Sequence, residues 1–446
     1  MMPEALIRRY GGIAVPRYTS YPTAADFTAG IGADRHARWL SALDTASPVS
    51  LYVHIPYCRT LCLYCGCHAK MAIRDEVLAN YRNYLEQEIR LVGARLRVMP
   101  PVTRLHWGGG TPSVLEAQGL VSVFETLSEF FVFDADMEHA IELDPRTVTD
   151  ELAHDLAALG INRVSLGVQD LDPRVQEAIG RVQPLDVVQT AVRALRRVGI
   201  DAINFDLMYG LPLQTVASAT RTAEQAIALS PARASVFGYA HLPHRKANQR
   251  RIEANALPDA TERFAQSRAI AEQFAAAGYT AIGFDHFALP GDRLALAARA
   301  GTLHRNFQGY TDDDNASLIG FGASSISRLE EGYAQNVADT TAYSRAIREG
   351  RLATVRGHAF SDSDRARAAV IDRLMCQQEV DLDTLGVAEP FVDELALLRP
   401  LCSDGLLSID RRRIAITDRG RPFVRLVASV FDAYLPAASG GFSPAI

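Results

Sequence analysis

At 446 residues the chain has room for two or three domains, or for one large barrel with appendages. Its 46 Lys and Arg stand against 52 Asp and Glu, a net charge of −6 at pH 7, which lacks the basic excess of a nucleic-acid-binding protein. Hydrophobic residues make up 48% of the chain, enough to fill a core. No apolar stretch reaches membrane-spanning length, and Met1 to Tyr10 lack the apolar core of a signal peptide. A cytoplasmic protein that uses neither nucleic acid nor membrane is expected, and, with no feature marking an oligomer interface, a monomer.

In chain order, residues 1–47 read as an N-terminal arm. It carries the proline-punctuated stretch Pro16-Arg17-Tyr18-Thr19-Ser20-Tyr21-Pro22-Thr23, then a short helical pattern from His36 to Leu43. The apolar run Val49 to Ile55 follows and delivers Tyr57-Cys58-Arg59-Thr60-Leu61-Cys62-Leu63-Tyr64-Cys65-Gly66-Cys67, which holds four of the six cysteines. A zinc site would ask for a second, well-separated cysteine pair, and a disulfide framework suits a short secreted chain; neither describes this sequence. Buried structural cysteines rarely cluster in this way. Cys58, Cys62 and Cys65, spaced C-x3-C-x2-C, instead suit an iron–sulfur cluster. Three thiolates on a four-iron cluster leave one iron open to an exogenous ligand.

From here strand and helix patterns alternate. Short apolar runs at Val102 to Trp107, Ala140 to Leu143, Arg163 to Val168, Ala202 to Met208 and Ala234 to Tyr239 read, with Val49 to Ile55, as six buried strands. Between them, Leu120, Val123, Phe124, Leu127 and Phe131 share one helix face. Leu152, Leu156 and Leu159 before Gly160 share another, and Val188, Ala191, Leu195 and Val198 before Gly199 a third. Such alternation predicts an α/β fold with a parallel sheet, whose chemistry collects at the carboxyl ends of the strands.

Those ends are distinctive. The second bears His106-Trp107-Gly108-Gly109-Gly110-Thr111-Pro112, glycines where backbone approaches something closely. The third ends in Glu142-Leu143-Asp144-Pro145. The fourth ends in Gln169, able to donate and accept, with Arg181 beyond it as a bidentate partner for a carboxylate. The fifth places Asp206 inside an apolar run, where it needs a partner, most simply an Arg or a backbone amide. The sixth leads to Tyr239-Ala240-His241-Leu242-Pro243. A seventh run, Tyr279 to Phe284, reads as strand. The block His304-Arg305-Asn306-Phe307-Gln308-Gly309-Tyr310-Thr311 has the composition of a functional loop. Ile319 to Ile326, with Gly320, Gly322 and Ala323, reads as close-packed backbone.

The C-x3-C-x2-C loop after a strand is similar to that of radical S-adenosylmethionine (SAM) enzymes. Its extension to Cys67, Tyr239 to Pro243, the block His304 to Thr311 and the opening Arg17 to Pro22 together resemble the oxygen-independent coproporphyrinogen III oxidases of haem biosynthesis. That resemblance implies a partial (β/α)6 radical SAM barrel, a [4Fe–4S] cluster on Cys58, Cys62 and Cys65, and two SAM molecules. It places Tyr52, Gly109, Glu142 and Ile326 around the cluster-bound SAM. Around the second it places Tyr64, Gly110, Thr111, Gln169, Arg181, Asp206 and Ala240. The implied substrate is coproporphyrinogen III and the implied electron donor a flavodoxin or similar carrier, with the N-terminal arm helping to close the active site. Cys67 is no cluster ligand in that family; it stands open between a small residue near the cluster and a catalytic role. Arg17, Arg245 and Arg305 are candidates for the substrate carboxylates, and the sequence does not choose among them. A haem-carrying relative without this activity, or a related methyltransferase or haem-degrading enzyme, would lack Cys67 and the 304–311 block.

Beyond the barrel and its extension, residues 48–354, a C-terminal domain is expected at 355–446. Arg365 to Met375, Phe391 to Leu401 and Val424 to Tyr434 read as helices. Leu406 to Ile409 and Ile414 to Ile416 form a hairpin, so the domain is mostly helical and winged-helix-like, with lid or packing duty. The tail Phe442-Ser443-Pro444-Ala445-Ile446 carries Pro444 where a basic residue is expected.

Overall fold

The computed structural model describes residues 4–43, 47–386, 390–435, 442 and 445. Strands β1 (Val49–Ile55), β2 (Pro101–Gly109), β3 (Val132–Leu143), β4 (Arg163–Gln169), β5 (Ala202–Tyr209) and β6 (Arg233–Gly238) lie side by side in chain order, each pair parallel. Helices Glu116–Ser128, Asp150–Ala158, Leu185–Arg197 and Val216–Ala228 return the chain between them. Local chemistry sets their ends. Thr149 and Thr215 accept N-terminal amide protons at two starts, and Gly199, with φ of 86°, follows the third helix where a side chain would be strained.

Only the inner ends of β3 were legible as strand. Its first half is exposed and carries Asp134 and Asp136, so no apolar run marks it. The strand expected from Tyr279 to Phe284 is present but shorter, β7 (Thr280–Ile282), ended by a turn at Gly283 (φ 56°); β8 (His286–Ala288) follows, antiparallel to β7 and to β6. On the opposite edge β9 (Ser317–Phe321) runs parallel to β1. It continues into antiparallel β10 (Ile326–Leu329), β11 (Gly332–Asn336) and β12 (Thr354–Ala359). The close packing expected at Ile319 to Ile326 is real: a Cβ on Gly320 would lie 2.7 Å from the Ile326 carbonyl oxygen. The result is one 12-stranded mixed sheet.

Two large cores and a smaller cluster of Val175, Ile179, Leu211, Tyr239 and Ile252 hold the chain. Leu51, Val53, Ile55, Leu105, Ile141, Val164, Leu166, Ile203 and Phe205 turn their side chains outward under the helices and are essentially without solvent contact. The second core joins the arm to the C-terminal region: Leu6, Ile7, Tyr10, Tyr18 and Tyr21 pack with Leu374, Leu401, Phe423, Val427 and Phe431. Polar bonds reinforce it, Tyr18 Oη donating to Asp432 (3.0 Å) and Tyr21 Oη accepting from the Ala433 amide (3.0 Å).

In that region the first helix spans Asp362–Gln377. The helix expected from Phe391 to Leu401 is two, Val392–Leu397 and Arg399–Ser403, because Pro400 has no N–H to continue the first. The hairpin pairs Leu407–Asp410 with Arg413–Ile416, and Glu379–Asp381 adds a third strand that the sequence did not signal. The last helix ends at Ser429, short of Tyr434. In the tail, Ser443, Pro444 and Ile446 lie outside the described residues, while the Ala445 amide bonds Ile13 (2.8 Å). Among the described residues no helix is long and apolar enough to cross a membrane.

Candidate active site

Alternation along the strands builds the site. In β4, Val164, Leu166 and Val168 are buried outward, while Ser165, Gly167 and Gln169 face inward. The same phase turns Tyr52 and His54 of β1, His106 of β2, Glu142 of β3 and Asn204 and Asp206 of β5 inward. A polar interior therefore encloses a cavity of about 1030 Å³, which also receives the cysteine loop, Arg17 and its neighbours in the arm, and Phe307 and Gln308. Every cofactor and metal candidate named from the sequence lines this one cavity, from Tyr52, Tyr64 and the four loop cysteines through Gly109, Gly110, Thr111 and Glu142 to Gln169, Arg181, Asp206, Ala240 and Ile326.

The three candidate cluster cysteines are free thiols with donors at hand. Thr111 Oγ1 donates to Cys58 Sγ and Arg181 Nη1 to Cys62 Sγ, each at 3.4 Å. Burial pushes the Cys58 thiol up to about 11, whereas the hydrogen bond from Cys67 holds Cys65 below the ordinary thiol range, with Lys246 and Arg181 adding to the effect. Among the described residues no three His, Cys, Asp or Glu converge on a single metal ion. A four-iron cluster puts each thiolate on a different iron, so it accepts the wider spread that one zinc ion would not. Three thiols facing one polar cavity, two of them already receiving a hydrogen bond from Thr111 or Arg181, fit such a cluster.

The glycine turn is shaped by its surroundings. Gly109 has φ of 114°, and a Cβ there would come within 2.6 Å of the His54 ring; on Gly110 it would collide with the Tyr57 backbone. Glu142 bridges the turn, accepting from the Gly109 amide (3.1 Å) with Oε2 and lying 3.2 Å from His106 Nε2 with Oε1. Despite burial, these partners hold its carboxyl below the usual range. Tyr52 stacks on His106 and bonds His54 Nδ1 at 2.9 Å.

Arg181 is held on several sides: Nη2 donates to the Gly167 carbonyl (2.7 Å), Nε to Gln183 (3.1 Å), and Nη1 lies 3.3 Å from Asp144 Oδ2. Asp206 finds partners other than those expected. Neither an arginine nor a backbone amide serves it; Ser165 Oγ and Asn204 Nδ2 donate, each at 2.9 Å, and burial raises its carboxyl to about 6. Of the three candidate arginines, only Arg17 lines the cavity, with Nη2 on the Gly238 carbonyl (2.7 Å). Arg305 is buried over the Tyr310 ring, 4.4 Å from its centroid. Arg245 is exposed, outside the cavity.

Several site residues went unrecognised in the sequence. His54 and His106 carried a signal, since they share the strand phase of Tyr52 and Glu142. Asn248 and Gln249 carried none. They lie on a single 3-10 turn far along the chain, yet they clasp the cysteine loop through the carbonyls of Cys62, Leu63, Tyr64 and Cys65.

A parallel partial barrel with a three-cysteine loop at the end of its first strand defines a radical SAM enzyme. Residues 52–226 match the Radical SAM superfamily, whose cofactors are a [4Fe–4S] cluster and SAM, and residues 360–423 match the HemN C-terminal domain. The chain is 45% identical to an oxygen-independent coproporphyrinogen III oxidase of Bradyrhizobium diazoefficiens, with 96% of both chains covered. It is 42% identical to the one of Pseudomonas aeruginosa, covering 97% of this chain and 96% of that one. The solved coproporphyrinogen III oxidase of Escherichia coli, a radical SAM enzyme, superimposes with a TM-score of 0.91 at 37% identity, covering 98% of this chain and 99% of that one. The chain belongs to the oxygen-independent coproporphyrinogen III oxidase family.

Proposed function

We propose that the protein converts two propionate side chains of coproporphyrinogen III to vinyl groups without oxygen, giving protoporphyrinogen IX. What carries this reading is the convergence of every cofactor and metal candidate on one cavity at the carboxyl ends of the strands. A cluster and SAM bound here would supply the radical chemistry that removes a hydrogen atom from the propionate side chain.

The chain's own residues hold and shield the reactants. Cys58, Cys62 and Cys65 would hold the cluster. Tyr52, Gly109, Glu142 and Ile326 would hold the cluster-bound SAM, with the glycine turn supplying backbone to it. Tyr64, Gly110, Thr111, Gln169, Arg181, Asp206 and Ala240 would hold a second SAM. Arg17 takes a substrate carboxylate, because it alone of the candidate arginines faces the cavity. The arm, strapped to the C-terminal region, closes that side and excludes water. We read the chain as an arm at 1–47, a catalytic unit from 48 and a C-terminal domain; β12 keeps the large sheet running to Ala359, five residues past the 354 boundary. A monomer in the cytoplasm, reduced by a flavodoxin or similar carrier, completes the proposal.

The test is anaerobic reconstitution with iron and sulfide, then addition of SAM, dithionite and coproporphyrinogen III. Protoporphyrin and 5′-deoxyadenosine should appear together, and both should vanish with Cys62→Ser while Cys67→Ser keeps its iron. Formation of 5′-deoxyadenosine without protoporphyrin would overturn the substrate. Neither product, with tight haem binding, would make the chain a haem carrier.

A further inference from the structure

The reaction proposed above needs one electron delivered from outside for each SAM cleaved, and one surface stands directly over the cysteine loop. Residues 244–251 read His244-Arg245-Lys246-Ala247-Asn248-Gln249-Arg250-Arg251, and no Asp or Glu lies between Leu242 and Ile252, in a chain of net charge −6. This segment is bound to the loop. Asn248 Nδ2 donates to the carbonyls of Cys62, Leu63 and Cys65, each at 3.0 Å, Gln249 Nε2 to Tyr64 (2.8 Å) and Lys246 Nζ to Cys67 (2.9 Å).

Its cations divide by direction. Lys246 lines the cavity; Arg245, Arg250 and Arg251 do not, and are exposed on the outer side. Other cations near the loop are already neutralised, Arg59 by Asp75 (2.6 Å) and Lys70 by Asp339 (3.3 Å). Among the described residues no salt bridge joins Arg250 or Arg251 to a carboxylate. Substrate carboxylates inside the cavity therefore do not account for these outward charges.

We propose that the outer face of residues 244–251 is the docking surface for an acidic one-electron carrier protein. The inference rests on the proposed function. The carrier's carboxylates meet Arg250 and Arg251, long-range attraction orients the encounter, and the carrier's redox group comes to rest above Asn248. From there a single hydrogen bond leads to the carbonyl of either Cys62 or Cys65. One electron passes inward, the carrier is oxidised by one electron and the cluster reduced by one, and no atom is transferred.

The experiment compares the wild-type chain with R250E/R251E, using a recombinant bacterial flavodoxin as the probe. Surface plasmon resonance reads binding at several salt concentrations, and turnover is followed separately with reduced flavodoxin and with dithionite. The expected result is affinity weakened about tenfold or more in the variant, with loss of the wild-type salt dependence. Flavodoxin-driven turnover should fall while dithionite-driven turnover and iron content stay unchanged. R250Q/R251Q should fall between the two. Unchanged flavodoxin binding would overturn the proposal. An equal fall with both reductants would also overturn it, assigning these cations to the cavity instead. If the wild-type chain makes no protoporphyrin even with dithionite, the proposed function fails, and the binding comparison still decides the docking surface.

Discussion

Nη1 of Arg181 stands 3.4 Å from Sγ of Cys62 and 3.3 Å from Oδ2 of Asp144, so one buried guanidinium links a loop thiol to a carboxylate. A cationic donor on a cluster sulfur stabilises the reduced, more negative state. Arg181→Gln should therefore move the cluster potential to more negative values, by about 60 mV for each 1.4 kcal/mol of stabilisation lost. A potentiometric titration followed by electron paramagnetic resonance measures this; an unmoved potential would sink the assignment.

Asp206 should decide how many SAM molecules remain. With its carboxyl raised to about 6 by desolvation and by the nearby Glu142, and with Ser165 and Asn204 as its neutral hydrogen-bond donors, it can attract a cationic sulfonium or ammonium. Asp206→Asn is expected to reduce bound SAM from two per chain to one in anaerobic equilibrium dialysis. In the wild type the second molecule should loosen as pH falls below about 6, where the carboxylate discharges.

Arg17→Ala should raise KM for coproporphyrinogen about tenfold or more, the cost of one charge-assisted hydrogen bond, and Arg17→Lys should recover part of it. Formation of 5′-deoxyadenosine in the absence of substrate should not change. A fall in that background rate would place Arg17 in cofactor binding.

Glu88 offers a stability test remote from the reaction. Burial raises its carboxyl to about 7, although the Gly322 amide (2.6 Å), Tyr343 Oη (2.7 Å) and Asn336 Nδ2 (2.5 Å) all donate to it. Its folded pKa lies above the 4.5 of a free carboxyl, so the folded state holds the proton longer. That contribution to stability is complete below pH 4.5 and is lost as pH rises through 7. Glu88→Gln removes the titration. Relative to the wild type, its unfolding free energy should rise by about 3 kcal/mol between pH 4.5 and 7.5 in denaturant titrations; parallel curves would exclude the shift.

Much of this was readable from residue order. Cysteine spacing needs no fold, because three thiolates within eight positions reach one cluster whatever surrounds them. Strands β1 to β6 announced themselves because their outward residues are mostly apolar, and the glycine turn did so because only glycine tolerates such an approach. The exposed half of β3, the short strand β8 and the split at Pro400 were obscured by mixed polarity or brief length.

By itself, then, the sequence supplied the cysteine spacing behind the proposed cluster ligands, the strand–helix alternation and the family resemblance, all of which depend on local spacing and period. Tertiary structure decided the rest. It gave Asp206 a serine and an asparagine in place of the expected arginine or backbone amide, brought Asn248 and Gln249 onto the cysteine loop, and placed Arg17, rather than Arg245 or Arg305, on the cavity. Each of these depends on which side chains meet across strands and loops far apart in the chain, and a side chain's partner is set by the closing of the sheet, not by its neighbours in sequence.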